Sequence, residues 1–389
     1  MMKKKILLVI PSNNGTIAGC FYNLYIALSA QKDVTVYTAN MSHISNGSFH
    51  FETVLSIEEK KCNYFTKIRK LKEIKKKYKI DISVSALVSC NLLNIFSKCS
   101  EKTIGIFHAP LNQNKILGNI TYMLSYVSYK FLFPKLDKVF CVSESVKSDV
   151  LSNMWIDKSK VDVVYNIHDV TCIREKADEA IDPQYEYIFR KNILLYVGKL
   201  YNIKSPDRLL RAYAEIKNRD VQLASTVNVV FIGKDVRDTQ KKLDVIIETY
   251  GIQDNIFFIG VQSNPYKYMK RATALISPSK SEGLPGVLIE SLLLNTPVIA
   301  SNSSLGVWEI LGLKYSKKKC NHYALKGIIT SNENVLDSLD DISISYDDKK
   351  MADAIISLLH DKELYNRMKK APFLFESQIT PDIARKYII

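Results

Sequence analysis

The stretch of residues 277–311 constrains the fold of this chain more than any other segment, because it joins apolar runs through a short turn. Ala274–Ser277 is an apolar run of strand length, and the segment after it is rich in glycine and proline, which predicts a tight turn. Residues 287–294 predict a helix, and residues 297–301 predict the next strand. A strand, a helix and a second strand in this order form a βαβ unit, which predicts a parallel α/β sheet.

Glu290 lies inside the predicted helix, among apolar neighbours. Val287 lies three residues before it, and Leu293 and Leu294 lie three and four residues after it. Burial of a carboxylate without a partner costs several kcal/mol, so this side chain needs a ligand or a structural salt bridge. The lack of a polar face on this helix argues against a surface glutamate and favours the ligand.

The turn before the helix predicts an anion site. Its backbone N–H groups and the positive end of the helix dipole can hold a phosphate, and glycine allows close approach. Glu282 lies at the start of this turn and can accept hydrogen bonds from sugar hydroxyls, as Glu290 can from a ribose diol. The implied ligand is a nucleotide sugar. The residues predicted to form the turn's donor-binding site are Gly283, Leu284, Pro285, Gly286 and Val287.

The segment EGLPGVLIE, from Glu282 to Glu290, resembles the E-x7-E motif of the family 4 retaining glycosyltransferases. The following PVIAS and EIL segments extend the resemblance. It implies the α/β GT-B fold, in which two Rossmann-like doubly wound domains face each other across a cleft. It also implies a front-face mechanism in which the leaving phosphate helps to deprotonate the acceptor, and no catalytic metal or other cofactor.

A chain of 389 residues suits two α/β domains. The sequence predicts an acceptor-binding domain at residues 1–170 and a polar linker at 171–190. A nucleotide-sugar-binding domain follows at 191–370. In the resembling fold, a tail such as residues 371–389 commonly crosses back to the first domain.

Two further site residues are expected in the N-terminal domain. The loop after the first predicted strand lacks G-x-G-x-x-G, but Gly15 matches a glycine of the resembling family that faces the cleft, which implies a donor-binding role. A glycine that only permits a flexible turn is the alternative. His108 follows a predicted strand at residues 103–107, where ligands bind in open α/β sheets. Its FHAP context resembles the family's strand-end histidine that faces the donor and acceptor sugars, and a structural histidine is the alternative.

Lys199 and Lys204 follow the predicted strand of residues 192–197. Ser205 and Pro206 then begin a helix, so both lysines can neutralise a diphosphate beside its N-terminus. Solvated loop lysines are the alternative. The resembling family has G-R-L-x-x-x-K here, so Lys204 matches, whereas Lys199 replaces an arginine and loses bidentate geometry.

The net charge of +14 suggests an anionic partner. Residues 58–79 predict a basic amphipathic helix that either packs on the core with a solvated lysine face or contacts anionic lipid headgroups. Residues 116–133 predict a helix at a membrane interface or packed on the sheet. The lysines do not form a recognisable nucleic-acid module, so nucleic acid is not expected.

Cysteine usage and hydropathy bear on where the protein works. Seven cysteines without C-x-x-C spacing indicate neither a disulfide framework nor a zinc site. No uninterrupted apolar run is long enough to span a bilayer. We therefore expect a cytoplasmic protein, with peripheral attachment to the inner face of the membrane as an open alternative.

The resemblance and the charged groups together predict an enzyme with Glu282, His108 and Lys204 in catalytic roles. The expected reaction moves a hexose or N-acetylhexosamine, from UDP-sugar in preference to other nucleotide sugars, to a polysaccharide or lipid-linked oligosaccharide in cell-surface glycan synthesis. Lys199, Lys204 and the turn amides would stabilise the leaving diphosphate. The alternatives are a nucleotide-sugar 2-epimerase of the same fold and a non-catalytic basic protein that binds nucleic acid.

Overall fold

A computed structural model of the chain describes residues 3–12, 15–41, 49–51, 54–56, 63–109, 126–333 and 339–389. The chain forms two compact units. The first unit consists of Met1–Asp169 and Ser377–Ile389, and the second consists of Val170–Glu376. Both ends of the chain therefore contribute to the first unit.

The described residues of the first unit form a parallel sheet of seven strands in the order β3-β2-β1-β4-β5-β6-β7. The strands are β1 (Lys4–Ile10), β2 (Val34–Asn40), β3 (Val54–Ser56), β4 (Ile82–Ala86), β5 (Lys102–Phe107), β6 (Lys138–Cys141) and β7 (Val161–Val163). The helices around it are Thr16–Ser29, Tyr64–Tyr78, Leu87–Phe96 and Glu144–Asn153, with shorter helical turns at Ser128–Leu132, Phe133–Lys135, Lys158–Lys160 and Pro381–Tyr387.

Strand β1 shows why this sheet is buried on both faces. Its apolar residues Ile6 and Leu7 point to opposite faces, and both are fully buried. Strand β2 pairs with one edge of β1 and β4 pairs with the other, so the chain order reverses between β1 and β4. Such a reversal makes the first unit a doubly wound sheet, as the sequence predicts.

The basic helix Tyr64–Tyr78 packs on the core of the first unit. Leu71 is fully buried, and Ile68, Ile74 and Tyr78 pack against the same apolar cluster. Lys75 departs from the expected solvated lysine face: it is 2% exposed, and its Nζ lies 2.7 Å from Glu101 Oε1. The exposed lysines of the helix are Lys72, Lys76 and Lys77. Residues 58–62 lie outside the described part of the chain.

Of the helix predicted at residues 116–133, residues 116–125 lie outside the described part of the chain. The rest packs on the sheet: Tyr129 and Phe133 are buried, and both rings make edge contacts with Phe107 at 5.4 and 5.3 Å between ring centroids. Phe131 is half exposed and contacts Trp155. Among the described residues, no helix is both long and apolar enough to cross a membrane.

The second unit contains the sheet β10-β9-β8-β11-β12-β14-β13, counted over its described residues. Its strands are β8 (Asn192–Val197), β9 (Val227–Ile232), β10 (Ile256–Phe258), β11 (Ala274–Ser277), β12 (Val298–Ser301), β13 (His322–Tyr323) and β14 (Gly327–Thr330). The helices are Val170–Ala177, Pro206–Arg219, Val221–Ser225, Thr239–Tyr250, Tyr266–Arg271, Gly286–Leu293, Leu305–Ile310, Tyr346–His360 and Lys362–Lys370. Only β13 is antiparallel among these pairs.

Residues 171–190, expected to form a linker, instead pack as part of the second unit. They begin with the helix Val170–Ala177, in which Ile173 and Ala177 are buried. Lys176 O accepts a 2.7 Å hydrogen bond from Asn264 Nδ2, and Asp182 forms a 2.6 Å ion pair with Lys267. The segment is polar overall, but its apolar residues four positions apart cover one helix face.

The last stretch of the chain, which the sequence predicts to return to the first domain, lies in the first unit from Ser377 onward. His168 N donates to Ile379 O at 3.0 Å, which joins this stretch to the end of Met1–Asp169. In the turn Pro381–Tyr387, the ring of Tyr387 packs edge-on against Phe140 with 4.9 Å between centroids. Residues 371–376 remain with the second unit.

Candidate active site

The carboxyl ends of β8 and β11 form the point at which the second sheet changes direction. The chain proceeds from β8 to β9 and β10 on one side, and β11 starts again on the other side of β8. In open α/β sheets, ligands bind at such a switch point, outside the carboxyl ends of the strands. Lys199 and Lys204 follow β8, and Glu282 follows β11, so the topology brings these charges to one place.

The loop after β11 is held by backbone hydrogen bonds. Lys280 N donates to Ile203 O at 2.8 Å, and Glu282 N donates to Ser303 O at 3.2 Å. Ser304 Oγ donates to Gly283 O at 3.1 Å. A Cβ atom at Gly306 would lie 2.2 Å from that same carbonyl oxygen, so a side chain there would displace the loop. These contacts fix the position of Glu282 relative to Lys204.

Lys204 and Glu282 form an ion pair. Lys204 Nζ lies 2.5 Å from Glu282 Oε1, with the two side chains 29% and 11% exposed. Lys204 ends the short helix Asn202–Lys204, and Ser205 then takes a left-handed conformation with φ 45° before the helix Pro206–Arg219. Partly exposed pairs of this kind contribute about 1 kcal/mol or less, so a diphosphate can compete for the lysine.

The turn predicted to bind an anion leads into the helix Gly286–Leu293, one residue earlier than the sequence predicts. Pro285 occupies the N-cap position without a side-chain cap. The N–H groups of the first turn, at Gly286 and Val287, therefore have no intrahelical acceptor. Gly283 and Leu284, which precede the helix, are buried. This end of the helix can accept a negatively charged group.

Glu290 lies one turn further along this helix and is half-buried. Burial raises the pKa of its carboxyl to about 7. Within the described part of the chain, no side chain or N–H group forms a hydrogen bond or ion pair with this carboxylate. The structural salt bridge that the sequence left open is thus not formed by these residues. A carboxylate in this state can accept hydrogen bonds from hydroxyls that a ligand supplies.

Lys199 lies on the loop after β8 with its side chain exposed. Its carbonyl oxygen accepts a 2.8 Å hydrogen bond from Tyr196 Oη. The neighbouring loop after β9 approaches closely, since a Cβ atom at Gly233 would lie 1.8 Å from Gly198 O. The backbone that carries Lys199 is therefore packed, while its ammonium group is free to reach a ligand.

His108 and Gly15 belong to the first unit, at the edge formed by the carboxyl ends of its parallel strands. Burial lowers the pKa of His108 to about 4, so its ring is neutral at pH 7. Its Nε2 atom is buried without a hydrogen-bond partner among the described residues. The ring lines a pocket with Leu87, Asn91 and Tyr129. An unpaired ring nitrogen next to a cavity can bind a ligand hydroxyl.

Gly15 precedes the helix Thr16–Ser29 and has φ 88°. A Cβ atom at this position would meet nothing within 4 Å, so its backbone conformation, rather than crowding, favours glycine. Its carbonyl accepts a 3.1 Å hydrogen bond from Gly19 N at the start of the helix. The conformation of Gly15 therefore agrees with the alternative of a glycine that permits a turn. Its predicted role in donor binding stays a prediction.

The sequence patterns did not identify three residues that hold the loop of Glu282 in place: Lys280, Ser304 and Asn332. Asn332 Nδ2 donates to Lys280 O at 3.0 Å. The available signal was weak, since Asn332 is only one of many polar residues that follow a buried strand. Its partner is 52 positions away in the chain, and no local pattern joins the two.

Two family models match the chain in succession. The model Glycosyltransferase Family 4 matches residues 19–171, and Glycosyl transferases group 1 matches residues 178–326. An uncharacterized glycosyltransferase of Methanocaldococcus jannaschii is 26% identical over 297 residues, which is 74% of this chain and 71% of that protein.

A second relative carries a specific activity in its name. The N-acetylgalactosamine-N,N'-diacetylbacillosaminyl-diphospho-undecaprenol 4-alpha-N-acetylgalactosaminyltransferase of Campylobacter jejuni is 28% identical over 195 residues, which is 50% of this chain and 49% of that protein. The crystal structure of Anabaena HepE in complex with UDP superposes with a TM-score of 0.74 at 14% identity, covering 99% of this chain and 98% of that one. The two matching models together span most of the sequence, and the chain belongs to the GT-B glycosyltransferases of family 4.

Proposed function

We propose that this glycosyltransferase moves a hexose or N-acetylhexosamine, with retention of anomeric configuration, from a UDP-sugar to a polysaccharide or lipid-linked oligosaccharide. The product would belong to a cell-surface glycan. The Campylobacter jejuni relative, whose printed name describes a diphospho-undecaprenol acceptor, supports the acceptor class. A Staphylococcus aureus relative, 28% identical over 165 residues, which is 42% of this chain and 42% of that protein, is named as a capsular polysaccharide biosynthesis glycosyltransferase.

The observation that carries the proposal is the ion pair between Lys204 Nζ and Glu282 Oε1, at 2.5 Å, at the switch point of the second sheet. A diphosphate that enters this place would attract Lys204 and release Glu282 toward the sugar. Glu282 would then accept hydrogen bonds from hydroxyls of the transferred sugar. Binding of the diphosphate would in this way position both Lys204 and Glu282 for the reaction.

The leaving UDP gains negative charge as the glycosidic bond breaks, and this charge needs stabilisation by the protein. Lys204, Lys199 and the N-terminal end of the helix Gly286–Leu293 would supply it. We propose that this positive charge serves the reaction without a metal ion. Glu290 would hold the ribose, and neutral His108 would bind a sugar hydroxyl.

Two observations support attachment to an anionic membrane surface. The acceptor class proposed above includes lipid-linked glycans, and the helix Tyr64–Tyr78 exposes Lys72, Lys76 and Lys77 to solvent. Lysines on the surface of a helix are attracted to anionic headgroups by about 1 kcal/mol each. We propose that this lysine face binds the headgroups reversibly.

A donor screen tests the function. The full chain is incubated with a panel of UDP-, GDP- and dTDP-sugars, with and without lipid-linked acceptors, and release of the nucleotide is measured. Transfer from one UDP-sugar, with the product anomer determined by NMR, is the expected result. Conversion of a free UDP-sugar to its 2-epimer without an acceptor would assign the epimerase function instead. RNA or DNA binding without any sugar-nucleotide binding would overturn both.

A further inference from the structure

Arg208 is a fully buried cation next to the proposed donor site. It lies on the helix Pro206–Arg219 and is 0% exposed. Its Nη1 donates to Asn332 Oδ1 at 2.8 Å, and its Nη2 donates to Asp347 O at 3.1 Å and to Ser331 O. A buried guanidinium needs oxygen partners for its N–H groups, so it fixes which side of the Asn332 amide faces it.

The other end of the Asn332 amide reaches two loops of the candidate site. Its Nδ2 donates to Lys280 O at 3.0 Å, on the loop after β11, and to Asn302 O at 3.3 Å, on the loop after β12. Glu282 lies two residues beyond Lys280, and its N–H donates to Ser303, the residue after Asn302. Asn332 therefore joins the two loops between which the backbone of Glu282 is held.

We propose that Asn332 is a positioning residue, oriented by Arg208, that sets the distance between Glu282 and Lys204. This inference rests on the proposed role of Glu282 in glycosyl transfer. An amide can accept from the guanidinium through its oxygen while its two N–H groups donate to two carbonyl groups. Displacement of a reacting group by about 1 Å can cost about a hundredfold in rate, so a side chain that touches no substrate can still control kcat.

The variant Asn332→Asp separates the two ends of the amide. The carboxylate still accepts from Arg208, but it places an oxygen against Lys280 O and Asn302 O, where the amide had donated. We expect kcat to fall by between about tenfold and a hundredfold. The Kd for UDP should change by less than about twofold, because the hydrogen bonds of Asn332 go to Arg208, Lys280 and Asn302 and not to the helix Gly286–Leu293 proposed to hold the nucleotide.

Asn264→Asp is a matched control in the same unit. Asn264 Nδ2 also donates to a carbonyl, Lys176 O at 2.7 Å, but this carbonyl lies in the helix Val170–Ala177 and not in a loop of the candidate site. The same Nδ2 donates to Glu179 Oε2 at 2.9 Å. If Asn332 has only a structural role, both variants lower Tm and neither lowers kcat selectively. Should Asn332→Asp fail to fold, Asn332→Ser removes both contacts without adding a charge and is expected to show the same loss of kcat.

Hydrogen exchange makes the inference testable even if the donor is never found. The amides of Lys280 and Glu282, which donate to Ile203 O and Ser303 O, should exchange faster in Asn332→Asp than in the wild type and in Asn264→Asp. Unchanged exchange at both amides would overturn the positioning role. Lack of transfer by the wild type, with faster exchange in the variant, would instead overturn the proposed function alone. Wild-type kcat in a folded Asn332→Asp protein would also refute the inference.

Discussion

The titration of Glu290 provides a direct test of donor binding. Burial raises the pKa of this carboxyl to about 7, and the described residues supply it with no hydrogen-bond donor. Hydroxyl groups of a ribose would favour the ionised carboxylate and lower its pKa in the complex. Binding would then release protons, so the affinity that is present above pH 7 would be lost as the pH falls through 7.

The size of the effect follows from the free pKa. With a pKa of about 7, about a tenth of the Glu290 carboxyls are ionised at pH 6, about half at pH 7 and about nine-tenths at pH 8. If only the carboxylate binds the ribose, the Kd for UDP is about tenfold weaker at pH 6 than at pH 8. That ratio corresponds to about 1.4 kcal/mol of binding free energy.

Calorimetric titration with UDP at these three pH values measures the affinity directly. Repeating the titration at pH 7 in two buffers of different ionisation enthalpy gives the number of protons released. The control is Glu290→Gln, which keeps the shape of the side chain but does not titrate, so the ionisation of UDP itself cancels. The wild type should release about half a proton more than the variant at pH 7.

The reasoning is refuted if wild type and Glu290→Gln show the same change of Kd with pH and the same proton release. These two results together would mean that the hydroxyls of UDP do not reach this carboxylate. Steady-state rates add a second check: because the ribose contact exists in the ground state and the transition state alike, Glu290→Gln should raise the donor KM with little change in kcat.

The charged pair and the lysine face yield three further predictions. Lys204→Ala should lower kcat/KM about a hundredfold. The control Lys350→Ala removes an equally exposed, ion-paired lysine and should leave kcat/KM unchanged. Equal kcat/KM values in the two variants would exclude Lys204 from the site. Glu282→Gln should lower kcat about tenfold or more with nearly normal UDP affinity, measured by calorimetry, and normal turnover would contradict its role. The protein should float with anionic vesicles at low salt and release at high salt, and the double variant Lys72→Glu, Lys76→Glu should float less; equal flotation with neutral vesicles would show that these lysines are only solvated.

Sequence patterns predicted the parts of the fold that depend on neighbouring residues. The apolar run at residues 192–197 matches β8, and the helix expected at 287–294 is observed at Gly286–Leu293. The E-x7-E spacing also located Glu282 and Glu290, because both lie within one βαβ unit. Local periodicity carries this information, since it reports which face of each element is buried.

Contacts between distant segments could not be predicted in the same way. Lys204 and Glu282 are 78 positions apart, and they meet because β8 and β11 are neighbours in a sheet whose order the sequence does not state. Lys75 was expected on a solvated face, but Glu101 follows Leu87–Phe96 and pairs with it in the interior. The orientation of Asn332 depends on the burial of Arg208, which is also a tertiary property.

The split composition of the first unit affects the order in which the two units mature during synthesis. Ser377–Ile389 leaves the ribosome about 200 residues after Met1–Asp169 has emerged, which takes about 10 to 40 s at typical rates of synthesis. Until then, the apolar surface around Phe140 lacks the ring of Tyr387 that covers it. The second unit is continuous in sequence and can complete its fold first. The half of the enzyme that is translated first is therefore the last to be finished.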